Sequence, residues 1–135
     1  MRSVLCLFKS SLFVSAIFLF TGCPTINPIE PVDANERIIA DQIRNLRGTV
    51  RLDKSGFVVE VNLSNTGVRD EDLMVVSKLS KMQILSLSRT GISDKGLVHL
   101  KNHRMLRHIF LFRSKVTDSG VDVLKRAIPQ CRVFY

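Results

Sequence analysis

Apolar residues in this chain follow two rhythms in turn, a period of two and then a helical spacing, and the pair of rhythms returns at intervals of 24 residues. The copies read VNLSNTGVRDEDLMVV from Val61, LSLSRTGISDKGLVHL from Leu85 and IFLFRSKVTDSGVDVL from Ile109. Val61, Leu85 and Ile109 align, as do Leu63, Leu87 and Leu111, then Val68, Ile92 and Val116, then Leu73, Leu97 and Val121, then Val76, Leu100 and Leu124. Asp70, Asp94 and Asp118 hold one polar register. In Leu85-Ser86-Leu87 and Ile109-Phe110-Leu111, residues two apart face the same way, as in a strand. Leu97 and Leu100, and again Val121 and Leu124, meet at helical i,i+3 spacing. Each unit therefore predicts strand, turn, helix and return. Ser93 or Asp94, and Thr117 or Asp118, stand where a side-chain oxygen can cap the first free amides of the helix. A unit of this kind buries its apolar side only against its neighbours, so the pattern predicts a stack, with a parallel sheet on one side and helices on the other. Such an architecture points to a binding surface rather than a catalytic pocket.

The columns resemble the leucine-rich repeat family. Its pattern L-x-x-L-x-L-x-x-N/C-x-L is matched from Met82 through Leu85, Leu87, Thr90 and Ile92, from Leu106 through Ile109, Leu111, Ser114 and Val116, and from Val58 through Val61, Leu63, Thr66 and Val68. Thr or Ser stands where Asn or Cys is usual. TGISDKGL and SKVTDSGV look like the T-x-x-T-D-x-G-L variant of bacterial members, and LKRAIPQCRVFY looks like a closing unit. The resemblance covers about residues 34–135. It implies an α/β fold, a short curved right-handed β-α superhelix (a leucine-rich repeat solenoid) with its parallel sheet on the concave side and its helices on the convex side.

Stacked units expose an apolar cross-section at each end, so both ends need closing. Asp33-Ala34-Asn35-Glu36 has the spacing of a capping box and opens an amphipathic helix whose Ile39, Ile43 and Leu46 share a face; Gly48 is expected to stop it. Thr49 to Asp53, the turn Lys54-Ser55-Gly56 and the run Phe57 to Leu63 predict a hairpin whose first strand covers the edge of the first unit. Residues 34–57 are thus expected to be an N-terminal cap of helix and strand, and residues 58–135 the repeats. Val133 and Tyr135 fall 24 residues after Ile109 and Leu111, which makes the last strand a C-terminal cap.

A different kind of sequence precedes residue 34. Arg2 and Lys9 lead into the apolar run Leu12 to Phe20, with no acidic residue before Glu30. That run is short of the roughly 20 residues a bilayer span needs, and residues 1–22 read as a secretory signal peptide. Leu19-Phe20-Thr21-Gly22-Cys23 resembles the bacterial lipobox, with Phe20 where Leu is usual. The resemblance implies cleavage before Cys23 and lipidation of its thiol, with two or more acyl chains giving stable attachment. An ordinary cleaved signal and an uncleaved anchor are the alternatives. Pro24, Pro28 and Pro31 favour an extended chain, so residues 23–33 are expected to act as a tether reaching roughly 30 Å.

Charge and chemistry narrow the function classes. The chain has a formal net charge of +8, and loss of Arg2 and Lys9 with a leader leaves +6. A basic exported domain is drawn to anionic headgroups, acidic envelope polymers or acidic proteins. Nucleic acid is not an expected partner, since export separates the chain from it and no motif for it is present. With Cys6 in the leader and Cys23 lipidated, Cys131 has no partner thiol and is expected to be a buried cap residue. His99 and His103 stand four apart on a helical segment, but no third ligand accompanies them and His103 aligns with Leu79 beside the core, so no metal is expected. No nucleophile–base pair, phosphate loop or paired carboxylates stand at a telling spacing; neither catalysis nor a cofactor is expected.

In the resembled family, function lies on the sheet side, between the inward Leu columns. By register those positions are Glu60, Asn62, Ser64 and Asn65, then Ile84, Ser86, Ser88 and Arg89, then His108, Phe110, Phe112 and Arg113, with Phe134 in the last strand. Phe110 and Phe112 replace the Asn and Ser of earlier units, with Arg89, Arg107, Arg113 and Arg132 around them, a composition typical of interaction hot spots. Arg89, His108, Phe110, Phe112 and Arg113 are the candidate binding residues. The alternative is that the two Phe residues pack against each other, Phe134 and the cap. The expected function is a membrane-anchored or secreted binding module for a protein or envelope polymer; the alternative is a structural envelope component that self-associates or docks into a larger assembly. Expression in a bacterial host should give a mature mass that begins at Cys23 and carries acyl chains, with partitioning into detergent. Both should be lost in Cys23→Ala; an unacylated wild-type product would remove the anchor.

Overall fold

A computed structural model describes residues 34–135; the expected signal peptide, Cys23 and the expected tether to residue 33 lie outside the described residues. The chain is α/β. Its elements run α1 (Ala34–Asn45), β1 (Thr49–Leu52), β2 (Val58–Asn62), a 3-10 turn (Asp70–Asp72) leading into α2 (Leu73–Val76), and β3 (Ile84–Ser86). They continue through α3 (Asp94–Leu97), prolonged by a 3-10 turn (Val98–Leu100), to β4 (His108–Phe110), α4 (Asp118–Ala127) and β5 (Arg132–Phe134). The strands form one sheet in the order β1-β2-β3-β4-β5. β1 pairs antiparallel with β2, and every later pair is parallel. The parallel register advances by one repeat per strand: Glu60, Ile84, His108 and Arg132 are partners in turn, as are Val61, Leu85, Ile109 and Val133, then Asn62, Ser86, Phe110 and Phe134. Beyond the strands the ladder continues through Leu63 N–H to Ser86 O, Leu87 N–H to Phe110 O and Leu111 N–H to Phe134 O.

The aligned columns are the core. Val61, Leu85, Ile109, Leu63, Leu87 and Leu111, then Leu73, Leu97 and Val121, then Val76, Leu100 and Leu124, are all buried in one cluster between the sheet and the helices. Burial at about 25 cal/mol per Å² supplies the driving force, but apolar contact has no direction of its own.

Direction comes from the aspartate column. The Asp70 carboxylate accepts from Ser93 N–H at 2.7 Å and from its hydroxyl at 2.6 Å, and the Asp94 carboxylate accepts from Thr117 N–H at 2.8 Å and its hydroxyl at 2.7 Å. Each carboxylate thus holds the helix entrance of the next unit, while Ser93 and Thr117 cap their own helices by accepting from Lys95 N–H and Gly120 N–H. The Thr117 N–H, and after it the Thr117 hydroxyl, holds the Asp94 carboxyl below its ordinary value, against a small opposing effect of burial. Gly96 and Gly120 are small because of this ladder: a Cβ would lie 2.6 Å from Asp70 Oδ1 in the first case and would overlap Asp94 Oδ1 in the second. In the first unit there is no preceding aspartate, and Asp72, at the position of those glycines, turns its own carboxylate onto Arg69 N–H at 2.8 Å.

Asp33, the first residue of the expected capping box, lies outside the described residues, and its third residue, Glu36, has distant partners. The Glu36 carboxylate is buried and accepts from Val58 N–H at 2.7 Å, Ser80 Oγ at 3.1 Å and Ser80 N–H at 3.4 Å, pinning α1 to β2 and to the segment after α2. The buried amide of Val58 would otherwise lack an acceptor. The helix ends ahead of Gly48, as expected: Arg47 takes the left-handed conformation with φ 62°, and Gly48 N–H bonds to Ile43 O at 2.9 Å. Gly48 is needed for space: a Cβ there would stand 2.7 Å from Leu63 Cδ2 and 2.8 Å from Ile43 Cγ2. The hairpin is as expected, closed by Asp53, whose carboxylate accepts from Ser55 and Phe57 N–H, and by Gly56 at φ 82°.

Gly96→Ala should destabilise the fold by about 1–3 kcal/mol, because the Asp70 carboxylate cannot yield without leaving Ser93. Gly67→Ala, with nothing within 4 Å of the added methyl, should stay within about 0.5 kcal/mol of wild type. Urea unfolding of the two variants side by side measures the difference.

Candidate binding face

The sheet has one covered side and one open side. Val61, Leu85 and Ile109 face the helices, so strand alternation turns their neighbours outward in two rows. One row runs Arg51, Glu60, Ile84, His108 and Arg132; the other runs Thr49, Asn62, Ser86, Phe110 and Phe134. Ser64, Ser88 and Phe112 follow two residues beyond the second row. Asn65, Arg89 and Arg113 come next, and all three sit in the left-handed region at φ 58°, 56° and 57°. The chain turns away from the sheet there, with Asn65 N–H bonded to Ser88 O and Arg89 N–H to Phe112 O. No glycine marks these positions, so only their recurrence every 24 residues signals the shared conformation.

The two halves of this face differ chemically. On the β1–β2 side, Arg51 Nε meets Glu60 Oε2 at 2.7 Å, Asn62 Oδ1 accepts from Ser64 N–H, and the hydroxyls of Ser64 and Ser86 share a 2.7 Å bond. On the β4–β5 side the rings take over. Phe110 and Phe134 stack with centroids 4.9 Å apart and planes 12° from parallel, and His108 stacks on Phe134 at 6.3 Å and 22°. Phe110 is half-buried, whereas Phe112 is 48% exposed and Phe134 37%. Arg89, Arg113 and Arg132 are exposed, and no carboxylate lies within ion-pair distance of them among the described residues; the two ion pairs there are Arg44–Asp41 and Arg51–Glu60.

The structure thus places His108 and Phe110 in the outward rows, with Phe112 beyond them and Arg132 and Phe134 joined to them by register, and sets the exposed Arg89 and Arg113 at the turns that leave the sheet. It separates the two Phe residues that the sequence treats alike: Phe110 packs on Phe134, and Phe112 projects beyond the stack. Arg107 precedes β4 in the parity of Ile109, out of step with the outward rows.

Two other candidates resolve differently. His103, which replaces Leu79 in its column, is buried and lies against the carbonyls of Val76 and Ser77, with Nε2 unpartnered. Burial keeps its pKa below the ordinary 6.5, the two carbonyls opposing the shift. Cys131 is buried as expected, and burial pushes its thiol up to about 11, far from a reactive thiolate. Grooves also lie away from the open sheet face. One of about 380 Å³ runs between α1 and the β1–β2 hairpin and mixes Glu36, Asp41 and Asp53 with Arg37, Arg44 and Lys54. Among the described residues no helix is long and apolar enough to cross a membrane. No protein-family model matches this sequence, and no curated protein matches it at a significant level.

The His103 pKa sets a pH dependence. Above 6.5 the ring is neutral in both states; as pH falls below 6.5 the unfolded chain takes up a proton that the folded one resists, so stability declines until the lowered folded pKa is passed. His103→Leu, restoring the residue of the Leu79 column, should flatten the decline of the urea midpoint between pH 7.5 and pH 5, after allowance for the other two histidines.

Proposed function

We propose that this chain is a leucine-rich repeat solenoid of the bacterial T-x-x-T-D-x-G-L type, exported, held at a membrane by lipid on Cys23, and acting as a non-catalytic binding module through the open face of its sheet. Support for the solenoid comes from the register, which moves 24 residues per parallel strand, and from the carboxylate passed between successive units. Support for the anchor comes from the lipobox-like sequence alone. The observation that carries the binding reading is the chemistry of the β4–β5 half of the open face. A large exposed ring and a stack of three others lie there, with the exposed Arg113 and Arg132 free of carboxylate partners among the described residues and Arg89 at the turn after β3, while on the β1–β2 side Arg51 pairs with Glu60 and Ser64 with Asn62 and Ser86. Arg and aromatic side chains concentrate binding energy at interfaces because they bury much area while keeping directional contacts. The partner is a protein or an envelope polymer met at the membrane surface.

Phe112 is the discriminating residue, because its exposure separates binding from folding. Phe112→Ala should leave the unfolding midpoint nearly unchanged, within about 0.5 kcal/mol, and weaken capture of a partner from envelope extracts at least about tenfold. Phe110→Ala, which breaks the stack on Phe134, should also cost about 0.5–1.5 kcal/mol of stability. Retained capture in both variants would rule out the β4–β5 half of the face as the binding surface.

A further inference from the structure

The partner's chemistry can be read from the way the rings stand. Phe110 and Phe134 are register partners on adjacent strands, and their 4.9 Å centroid separation matches the interstrand spacing of about 4.8 Å. Nearly parallel rings at that spacing turn their faces toward each other and their edges outward. His108 joins the same stack. A ring edge carries the positive side of the aromatic quadrupole, and the negative faces between Phe110 and Phe134 are turned to each other. Outward, the stack offers apolar edges of slightly positive potential instead of flat platforms.

The surrounding charge has the same sign. From β3 onward the outward positions are Ile84, Ser86, Ser88, His108, Phe110, Phe112, Arg132 and Phe134, followed at the turns by the exposed Arg89 and Arg113, with no Asp or Glu among them. The one carboxylate in the outward rows, Glu60, is already engaged by Arg51. Arg132 stands in the His108 row at one end of the stack, and Arg113 lies five residues further along the neighbouring chain segment, at most about 17 Å away at strand rise. Positive charge therefore brackets an apolar centre.

From this we infer that the β4–β5 half of the face receives an acidic protein segment, extended across the sheet, with an apolar residue against Phe110, Phe112 and Phe134 and carboxylates on either side for Arg132 and for Arg113 with Arg89. The inference rests on the reading of this face as the binding surface. Charge complementarity selects an anionic occupant. The apolar centre between separated positive charges selects a peptide, which can carry an apolar residue between two carboxylates, over an anionic polysaccharide, whose charges and hydroxyls recur along its whole length.

The probe is a short fluorescent peptide with Glu on both sides of a Leu-Val-Leu centre, measured by anisotropy against the full-length chain in detergent. Binding should weaken at least about tenfold when Gln replaces every Glu, and about five- to tenfold in Arg113→Gln and in Arg132→Gln, with unchanged unfolding midpoints. Affinity should fall as salt rises. Equal binding of the Glu and Gln peptides overturns the inference. So does tighter, Phe112-dependent binding of polygalacturonate, which would keep the face as a binding surface and reassign its ligand to an anionic polymer. Failure of both probes removes the acidic segment, and the Phe112-dependent capture experiment then decides independently whether the face binds anything.

Discussion

The rest of the structure depends on a carboxylate that leaves its own unit to hold the next one. Asp70 and Asp94 each accept both the amide and the hydroxyl of the residue that opens the following helix, at 2.6 to 2.8 Å. Two bonds to one residue define a direction as well as a distance, which the apolar columns cannot do, because burial is nearly indifferent to small slips along the stack. The same oxygen atoms fill the space beside Gly96 and Gly120, so helix capping, unit spacing and the small residue in the first turn are a single constraint seen from three sides. With that spacing set, strand follows strand in constant register, and the outward positions of successive units become neighbours. The face on the open side of the sheet is a consequence of this spacing.

Much of this was legible in the sequence, for a reason that lies in repetition. A single L-x-L is ambiguous, but columns aligned across copies average away local exceptions, and the strands, the buried columns and the outward rows followed from alignment alone. The residues that escaped were those whose partners lie outside their own unit. Glu36 has the spacing of a capping box, yet the buried Val58 amide and Ser80 claim its carboxylate, and nothing local in the sequence announces a bond across 22 or 44 residues. Gly48 was legible as the stop of α1, but not the reason a glycine stands there: Arg47 takes the left-handed conformation, and Gly48 answers to the crowding of Leu63 and Ile43. The aspartate column was visible as a polar register, while its acceptor role was not, because periodicity shows that residues are equivalent without showing which unit each one serves.

Similar logic explains why Phe110 and Phe112 could not be told apart in advance. Both have outward parity, and both replace small polar residues of earlier units. What separates them is the neighbouring ring: Phe134 on β5 is the register partner of Phe110 and stacks on it, whereas Phe112 lies beyond the residues that β4 pairs with β5. Candidate residues on a stacked sheet thus acquire their exposure from the neighbouring strand as much as from their own.

The asymmetry of the open face is the remaining step. Polar side chains on the β1–β2 side satisfy one another through Arg51 with Glu60, Asn62 with Ser64, and Ser64 with Ser86. Groups already paired gain little from a ligand, because a new contact must first replace an old one. On the β4–β5 side the arginines have no carboxylate to give up, and the projecting edge of Phe112 is in water. A ligand arriving there removes apolar surface from water and adds ionic hydrogen bonds without breaking protein contacts, so the free energy available per contact is greater on that half. Since the core lies wholly on the other side of the sheet, side chains on this half can be replaced at modest cost to folding, which leaves its chemistry free to be set by what it meets.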